Sequence, residues 1–437
     1  MIDQLVTSHR SQVSFLIALL VIATTALLFQ PEFVKKIHQY SFDSYNRILH
    51  RKNDNKVVIL SLDQASHQHM GVWPPPRDMW GDIIETITQM GAKAVVFDFI
   101  FMHPERAAMP EGKSMPPLAD MPEGTSYYDA YFAHKIHGSK KVALPFLTAR
   151  LDREQIPVRK MDIIYHGGSR GNLSRYFYAN QHYIGSIPVL VNAAAGTGHA
   201  NFVTESDGIL RRCPIMMGRT NADNQVVDLY PALSLEVIRV AEGITTPYHV
   251  TGSPTGGIES VSFGPYTIPT DMYGRARIYY AGRQGREYIS LREVIQGKVD
   301  RSHIDGKIVY IGAISENMGD VKPSPLDPVM RGVEAHAEIT EQILSGKFLH
   351  RTDVMMAGEI IIMLGTTLAV IFFVQRMHTL VMVASVGLLV VLEMLAGFLA
   401  FQYKGWLFDP LCPAIITTII FMLAAILDAL RTKIVSN

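Results

Sequence analysis

Four predominantly apolar segments constrain the fold of this chain more than any other feature. They cover residues 11–30, 354–374, 380–401 and 410–430. Each is close to the ~20 residues that an α-helix needs to cross a bilayer, where backbone polar groups must be satisfied within the segment itself. The sequence therefore predicts one transmembrane helix near the N-terminus, retained rather than cleaved, and a compact group of three near the C-terminus.

Lysine and arginine residues near the ends of these segments predict their orientation. If the four helices alternate, the basic residues that fall on one side of the membrane are Arg10, Arg376, Arg431 and Lys433. Only Lys404 falls in the short loop opposite. The positive-inside rule then places residues 1–10 and 431–437 in the cytoplasm and residues 31–350 outside it. We expect a multi-pass protein of a bacterial inner membrane with one large periplasmic domain.

The stretch 56–101 has the pattern of a strand, a polar loop, a helix and a second strand. Residues 56–62 and 94–99 are short apolar runs with β-branched residues, typical of strands buried on both faces. Between them, apolar residues recur at helical spacing after Pro76, and Gly91 marks the end of that pattern. This βαβ unit predicts a mainly parallel sheet covered by helices.

The rest of the outer domain continues this alternation. Helices are predicted at 32–50, 127–137, 229–241 and 333–344, and further strands at 140–147, 276–280 and 307–311. The Asp-Gly turn at 207–208 predicts a hairpin between 200–203 and 209–216, and the Pro-rich stretch 105–124 predicts a long surface loop. The expected fold is α/β, with a mainly parallel sheet plus antiparallel hairpins, inserted between one N-terminal and three C-terminal transmembrane helices.

A series of short motifs is spread between about residue 31 and about residue 350. They are VVILSLDQAS, WPPPR, GAKAVVFDFIF, TESDGILRRCPIM with YPALSLEVIR, KIVYIGA and GDVKPSPLDPVMRGVEAHAE. In this order they resemble the type-2 CHASE domain, an extracellular sensor module of bacterial receptors. Such receptors place three membrane helices after the sensor and a cyclase, kinase or diguanylate cyclase after those. This sequence ends at Asn437, so we expect no output domain and no enzymatic activity in this chain.

Polar side chains at predicted strand ends form the main candidate site. Asp63 and Asp98 follow the two strands of the βαβ unit, at the edge where open α/β sheets place their ligand sites. Asp320 and His336 lie in the last motif of the series, and Arg77 could balance the carboxylates. Together these residues predict a polar pocket for a small-molecule ligand or a hard cation. Each aspartate also suits the alternative role of a helix cap or turn anchor.

Three other features are weaker candidates. His67 and His69 could both reach a transition metal, but without a third ligand we expect no metal site and no cofactor. The G-x-S-x-G pattern at Ser169 is that of a serine hydrolase, but the residues after it lack the apolar helix of a nucleophile elbow. Glu393, in the middle of the third apolar segment, should face neighbouring helices rather than lipid.

These observations favour a sensory membrane protein that binds a ligand or partner outside the cytoplasm and relays the signal through its transmembrane helices. We expect it to act as a homodimer or with a membrane protein partner. The net charge of zero and the lack of a basic stripe argue against a nucleic-acid partner. A structural subunit that docks on a larger envelope complex is the alternative, and a periplasmic serine hydrolase is a weaker one.

Overall fold

The computed structural model describes residues 8–71, 74–118, 122–149, 162–167, 173–254, 256–314, 320–374 and 376–436. The chain forms two compact units. The sheet unit contains residues His50–Phe348, and the helical unit combines residues Met1–Leu49 with Leu349–Asn437. Each unit has a hydrophobic core of its own.

Helices and strands are numbered here in chain order. The described helices are α1 (His9–Phe29), α2 (Glu32–Ile48), α3 (Gln64–Met70), α4 (Arg77–Gln89), α5 (Tyr127–Ser139), α6 (Pro188–Ala193), α7 (Leu233–Glu242), α8 (Leu291–Ile295), α9 (Gly332–Ser345), α10 (Asp353–Phe373), α11 (Thr379–Lys404) and α12 (Leu411–Ser436). The described strands are β1 (Val57–Leu62), β2 (Ala94–Phe97), β3 (Val142–Ala149), β4 (Ile163–His166), β5 (Ala179–Asn180), β6 (His182–Gly185), β7 (Gly196–His199), β8 (Arg212–Pro214), β9 (Met216–Thr220), β10 (Val226–Pro231), β11 (Tyr248–Gly252), β12 (Ile258–Phe263), β13 (Tyr266–Pro269), β14 (Arg275–Arg277), β15 (Glu287–Ser290) and β16 (Ile308–Ala313).

The main sheet of the sheet unit has seven strands. Their order is β15-β1-β16-β2-β3-β6, and β7 also pairs with β3. All of these pairs are parallel except β3 with β6. Three smaller sheets contain antiparallel pairs, among them β9 with β10 and β11 with β12. The predicted mixed α/β fold, with both parallel and antiparallel pairing, is confirmed.

The apolar runs of the central strands are continuous because the main sheet is covered on both faces. In β1, Val57 and Ile59 belong to one core with α7 and α9. Val58, Leu60 and Leu62 belong to a second core with α4, α5, α6 and α8. A strand whose alternate residues enter two different cores has no polar face, which is why these strands are recognisable from the sequence.

The two strands of the predicted βαβ unit are not neighbours in the main sheet. β1 and β2 are both parallel members of the main sheet, but β16 lies between them and pairs with each. In addition, the polar residues after β1 form the short helix α3 rather than a loop, because the Asp63 side chain caps its N-terminus. As a result, the ends of β1 and β2 are two strand spacings apart, roughly 9 to 10 Å.

The predicted hairpin around Asp207 is wrong. The turn itself forms, since the backbone N–H of Glu205 donates to the carbonyl oxygen of Ile209 at 3.0 Å. The flanking residues do not pair with each other, and β8 pairs instead with β14, far along the chain. The predicted helix 229–241 starts only at Leu233, since the preceding residues form β10 and pair with β9. Tertiary pairing overrides the local pattern at both places.

Gly312, near the end of β16, allows α9 to pack closely against the main sheet. A Cβ atom at this position would lie 2.7 Å from the Val333 side chain and 3.1 Å from Cβ of Asp98. We expect the Gly312→Ala substitution to lower the free energy of unfolding by about 1 to 3 kcal/mol, because neither neighbour can retreat without displacing α9 or β2.

The matched control for Gly312→Ala is Gly332→Ala, in the first turn of α9. Its added Cβ would meet Asp98 Oδ2 at 3.6 Å and Asp320 at 3.9 Å, which are ordinary contact distances. Chemical denaturation of the whole chain in detergent measures the free energy of unfolding of both variants. The signal is the fluorescence emission of the buried Trp80, so Trp73 and Trp406 are replaced with phenylalanine in every protein compared. Equal stabilities of the two variants would contradict the prediction.

Among its described residues, the helical unit contains four helices that are long and apolar enough to cross a membrane. They are α1, α10, α11 and residues Leu411–Ile434 of α12. Leu16, Leu20, Met363 and Ile420 are among the residues of its core. Other large apolar side chains of the same helices face outward, as expected for a bundle surrounded by lipid. The one N-terminal and three C-terminal apolar helices predicted from the sequence are therefore present.

Glu393 faces the interior of the helical unit. Its side chain is buried on α11, and neither carboxyl oxygen has a hydrogen-bond partner within the described ranges of the chain. One turn further on, Gly397 gives room to Tyr45 of α2, because a Cβ atom there would lie 2.4 Å from the Tyr45 Oη. The Tyr45 ring also stacks on Phe401 at 5.3 Å between centroids. The absence of a side chain at Gly397 of α11 thus allows Tyr45 of α2 to pack against this helix.

Candidate functional site at the carboxyl edge of the main sheet

Three parallel strands end at the same edge of the main sheet, and two of them supply polar side chains there. Asp98 directly follows β2, and His199 is the last residue of β7. β16 lies beside β2, with Ile311 opposite Phe97, so its end reaches the same edge. Parallel strands in an open α/β sheet create ligand sites at their carboxyl ends. α9 contributes His336 to this edge.

His336 lies in a closely packed environment beneath Asp98. Its Nε2 is 3.7 Å from Oδ1 of Asp98, which is longer than a hydrogen bond. The imidazole ring lies 4.4 Å from the Phe202 ring and is parallel to the Tyr310 ring at 6.5 Å. His336 is almost fully buried, and its Nδ1 has no hydrogen-bond partner among the residues that the structure describes.

His199 is fully buried, and in the described part of the chain neither of its ring nitrogens has a hydrogen-bond partner. Burial, together with the neighbouring His336, lowers the pKa of His199 to about 3. Burial and the positive charge of Lys322 likewise lower the pKa of His336 to about 3. Both imidazoles are therefore neutral at physiological pH, and each offers one donor and one acceptor nitrogen.

Asp98 is the partly exposed member of this group of side chains. Its side chain is 17% exposed. Burial and the nearby carboxylate of Asp320 raise the pKa of Asp98 to about 8, against the opposing charge of Lys322. At the rim, the Lys322 Nζ lies 2.6 Å from Oδ2 of Asp320, whose side chain is 68% exposed. At neutral pH the site thus has an ion pair at its mouth and uncharged hydrogen-bonding groups below it.

Two of the predicted site residues are not brought to this cluster. Asp63 caps α3, where its Oδ1 accepts hydrogen bonds from the backbone N–H of Ser66 at 2.8 Å and from the Ser290 hydroxyl at 3.1 Å. Arg77 pairs with Asp129 at 3.4 Å, and its guanidinium lies over the Phe101 ring. Asp98, Asp320 and His336 do lie together. The insertion of β16 between β1 and β2 explains why Asp63 is separated from them.

The weaker candidates do not join the site either. His67 and His69 lie on α3 rather than on a loop, and side chains two apart on a helix do not face each other. Ser169 lies outside the described residues.

The predicted surface loop is described at residues 105–118 and 122–124. These residues form no helix or strand, and they expose Met109 and Met115.

Sequence reasoning missed His199, Lys322 and Phe202 as parts of this site. The strand that positions His199 reads GTGH, in which two of the four residues are glycines, a residue type depleted in strands. Its glycines are explained by the packing of α7, because a Cβ atom on Gly198 would lie 2.6 Å from Cα of Leu233. A histidine directly after such a close-packed glycine segment is the signal that could have indicated the site.

In a comparison with known protein families, the chain matches the model described as the CHASE2 domain. The match covers residues 16–373, which include the entire sheet unit and reach the end of α10. The resemblance seen in the sequence motifs is thereby confirmed. No curated protein and no solved structure matches the chain.

Proposed function

The chain belongs to the CHASE2 domain family, and from this premise we propose that it is a bacterial sensory protein anchored in the inner membrane. In this proposal the sheet unit is the sensor, and α1, α10, α11 and α12 span the membrane. Residues 31–350 then lie in the periplasm. The proposal is supported by the length and apolar character of the four helices and by the basic residues at their cytoplasmic ends.

The observation that carries this proposal is a group of three buried imidazole nitrogens that have no hydrogen-bond partner among the described residues. Buried polar groups in native proteins are almost always hydrogen-bonded, to protein, water or ligand. Both ring nitrogens of His199 and Nδ1 of His336 are exceptions. Together with the protonated carboxyl of Asp98, they offer uncharged donors and acceptors at a sheet edge. Such convergent polar groups in an apolar surrounding favour a small polar molecule as the ligand.

We propose binding rather than catalysis at this edge. A general base works best when its pKa lies near the working pH. The pKa values of about 3 make both imidazoles poor bases at neutral pH. The raised pKa of Asp98 makes this carboxyl a hydrogen-bond donor rather than a nucleophile.

α9 offers a direct route from the site to the end of the sheet unit. It carries His336 in its second turn and ends at Ser345, close to the last residue of the unit, Phe348. Along the same helix, Glu338 and Glu341 are held by buried arginines. A ligand that moves His336 therefore acts on α9, the helix that precedes α10 in the chain. We propose that the signal then passes through the transmembrane helices to a membrane protein partner or to a second copy of this chain.

Purification of the whole chain in a mild detergent, followed by native mass spectrometry, tests this function. We expect a small molecule bound to the wild-type protein and lost from Asp98→Asn and His336→Gln. The matched control is Asp63→Asn, which removes a carboxylate at the end of β1 that caps α3. This control should keep the ligand, although its stability falls by about 1 kcal/mol.

The same measurement separates the alternatives. A stoichiometric protein partner without any small molecule would favour the structural subunit of an envelope complex. An empty homodimer, unchanged by Asp98→Asn and His336→Gln, would show that the sheet edge is not a binding site. Loss of the ligand from Asp63→Asn as well would place the binding site elsewhere in the sheet unit.

A further inference from the structure

The helical unit contains a second cluster of polar side chains, at the ends of its helices. The cluster consists of His38 on α2, Asp409 just before α12 and Cys412 in the first turn of α12. One ligand atom from each residue lies within 4.8 Å of those of the other two. All three residues are buried. Imidazole, carboxylate and thiolate are the three kinds of protein ligand that zinc accepts.

Two of these atoms are in close contact inside the helical unit. The His38 Nδ1 and the Asp409 Oδ2 are 2.6 Å apart, their side chains are 10% and 0% exposed, and they form an ion pair when His38 is protonated. Among the described residues, neither atom has a hydrogen bond of acceptable geometry. Buried polar atoms that lack a well-aligned partner need an explanation. A cation that takes the place of the imidazole proton and is bound by both side chains supplies it.

The surrounding contacts hold the three ligands in position. Asp409 Oδ1 accepts a hydrogen bond from the backbone N–H of Leu411 at 2.9 Å, which leaves Oδ2 for another partner. The backbone N–H of Asp409 donates to Glu359 at 2.6 Å, and Glu359 is paired with Arg351. The His38 ring stacks on Phe42 with an interplanar angle of 13°. Such outer contacts orient metal ligands and raise the affinity of a site.

We propose that His38, Asp409 and Cys412 bind a Zn²⁺ ion. Tetrahedral zinc, with bonds of about 2.0 to 2.3 Å, separates its ligand atoms by about 3.3 to 3.6 Å. The His38–Asp409 pair therefore has to open by about 1 Å, within the reach of small side-chain rotations. Three protein ligands leave a fourth position for water or for a group of a partner. The ion would join α2, which follows the first apolar helix, to the start of the last one.

The sequence pattern does not reveal this site. His38 and the other two ligands lie near opposite ends of the chain, and Asp409 and Cys412 alone have no recognisable metal-binding spacing. Only the folding of the helical unit brings the three together.

Metal analysis of the whole chain, purified in mild detergent without chelators, tests the proposal. We expect one zinc ion per chain in the wild-type protein and a more than tenfold lower content in His38→Ala and Cys412→Ser. Cys213→Ser is the matched control, since Cys213 is also a buried thiol but lies in the sheet unit. It should keep the wild-type zinc content.

Two further measurements keep the test decisive if a variant folds poorly. Cys412→His supplies another zinc ligand and should retain the metal. Cobalt(II) added to the metal-free wild-type protein should produce a thiolate-to-metal charge-transfer absorption that is absent from Cys412→Ser. A wild-type protein that takes up no zinc or cobalt, or a folded Cys412→Ser variant with the full zinc content, would overturn the proposal.

Discussion

Replacing Arg286 with methionine should lower the free energy of unfolding of the sheet unit by about 3 to 5 kcal/mol, because it leaves buried carboxylates with too little positive charge. The Arg286 Nη2 lies 3.0 Å from Glu338 and 3.1 Å from Glu341. Arg51 pairs with the same two glutamates at 2.9 and 3.3 Å. All four side chains are nearly inaccessible to water, so solvent cannot replace the lost partner.

The cost of Arg286→Met should increase with pH. Burial raises the pKa of Glu341, while Arg286 and Arg51 oppose this shift. Without Arg286 the pKa of Glu341 rises further, so the carboxyl can stay protonated in the folded protein at low pH. A group whose pKa is raised on folding destabilises the folded state increasingly as the pH rises. Denaturation of the whole chain at pH 5 and pH 8, followed by the emission of Trp80, measures both effects.

Arg301→Met is the matched control for Arg286→Met. The Arg301 side chain is 67% exposed and lies 3.5 Å from Asp305, which is also exposed. Exposed ion pairs contribute about 0 to 1 kcal/mol, so this variant should be almost as stable as the wild-type protein. Combining Arg286→Met with Glu341→Gln should restore part of the lost stability. Equal effects of Arg286→Met and Arg301→Met would mean that the buried network does not stabilise the fold.

Asp98→Asn should become increasingly more stable than the wild-type protein as the pH rises from 4 to 8. The pKa of Asp98 is about 8 in the folded protein and has an ordinary value of 3.8. The folded state therefore holds this proton more tightly than the unfolded state, and the wild-type protein loses stability across that range. Asparagine cannot ionise. The difference should grow by up to about 1.4 kcal/mol per pH unit and reach a few kcal/mol at pH 8.

The neighbouring histidines change the pH dependence of stability in the opposite direction, and they do so equally in Asp98→Asn and in the wild-type protein. The pKa values of His199 and His336 are lowered from 6.5 to about 3, so the folded state is destabilised as the pH falls below 6.5. This loss cancels in the difference between Asp98→Asn and wild type. Denaturation at pH 5, 6.5 and 8 measures the difference in free energy of unfolding between Asp98→Asn and the wild-type protein. The control is Asp305→Asn, at an exposed position, whose difference from the wild-type protein should not change with pH. A constant difference for Asp98→Asn as well would show that Asp98 ionises normally.

The features predicted correctly from the sequence are those that depend on local periodicity. The helices α1, α10, α11 and α12 are visible because they are long and predominantly apolar. The strands β1, β2 and β16 are visible because burial on both faces of the sheet makes them short, nearly continuous apolar runs. The place of β16 between β1 and β2 is not visible, because it is a pairing between residues more than two hundred positions apart. The pairing of β8 with β14 is likewise not visible, because it joins residues about 60 positions apart, such as Cys213 and Ala276, with other strands between them.

The same distinction applies to the candidate sites. Asp98 and His336 were identified because they occupy characteristic places, after a strand and on an amphipathic helix. Asp63 occupies an equivalent place after β1, yet its carboxylate is used to cap α3, and sequence alone does not separate the two roles. His199 was not assigned to the sheet edge, because its strand is built of glycines.

The contacts of α9 also fix the distance between the two ends of the sheet unit. Near the start of the unit, Arg51 binds Glu338, and the Lys56 Nζ donates to the carbonyl oxygen of Leu344 at 3.1 Å. The chain thus leaves the unit close to the point where it enters. A domain with adjacent termini can be inserted into a short loop of another protein without altering the path of the host chain. The sheet unit therefore has the geometry of a domain that gene rearrangement can insert into a loop between two membrane-spanning helices of another protein.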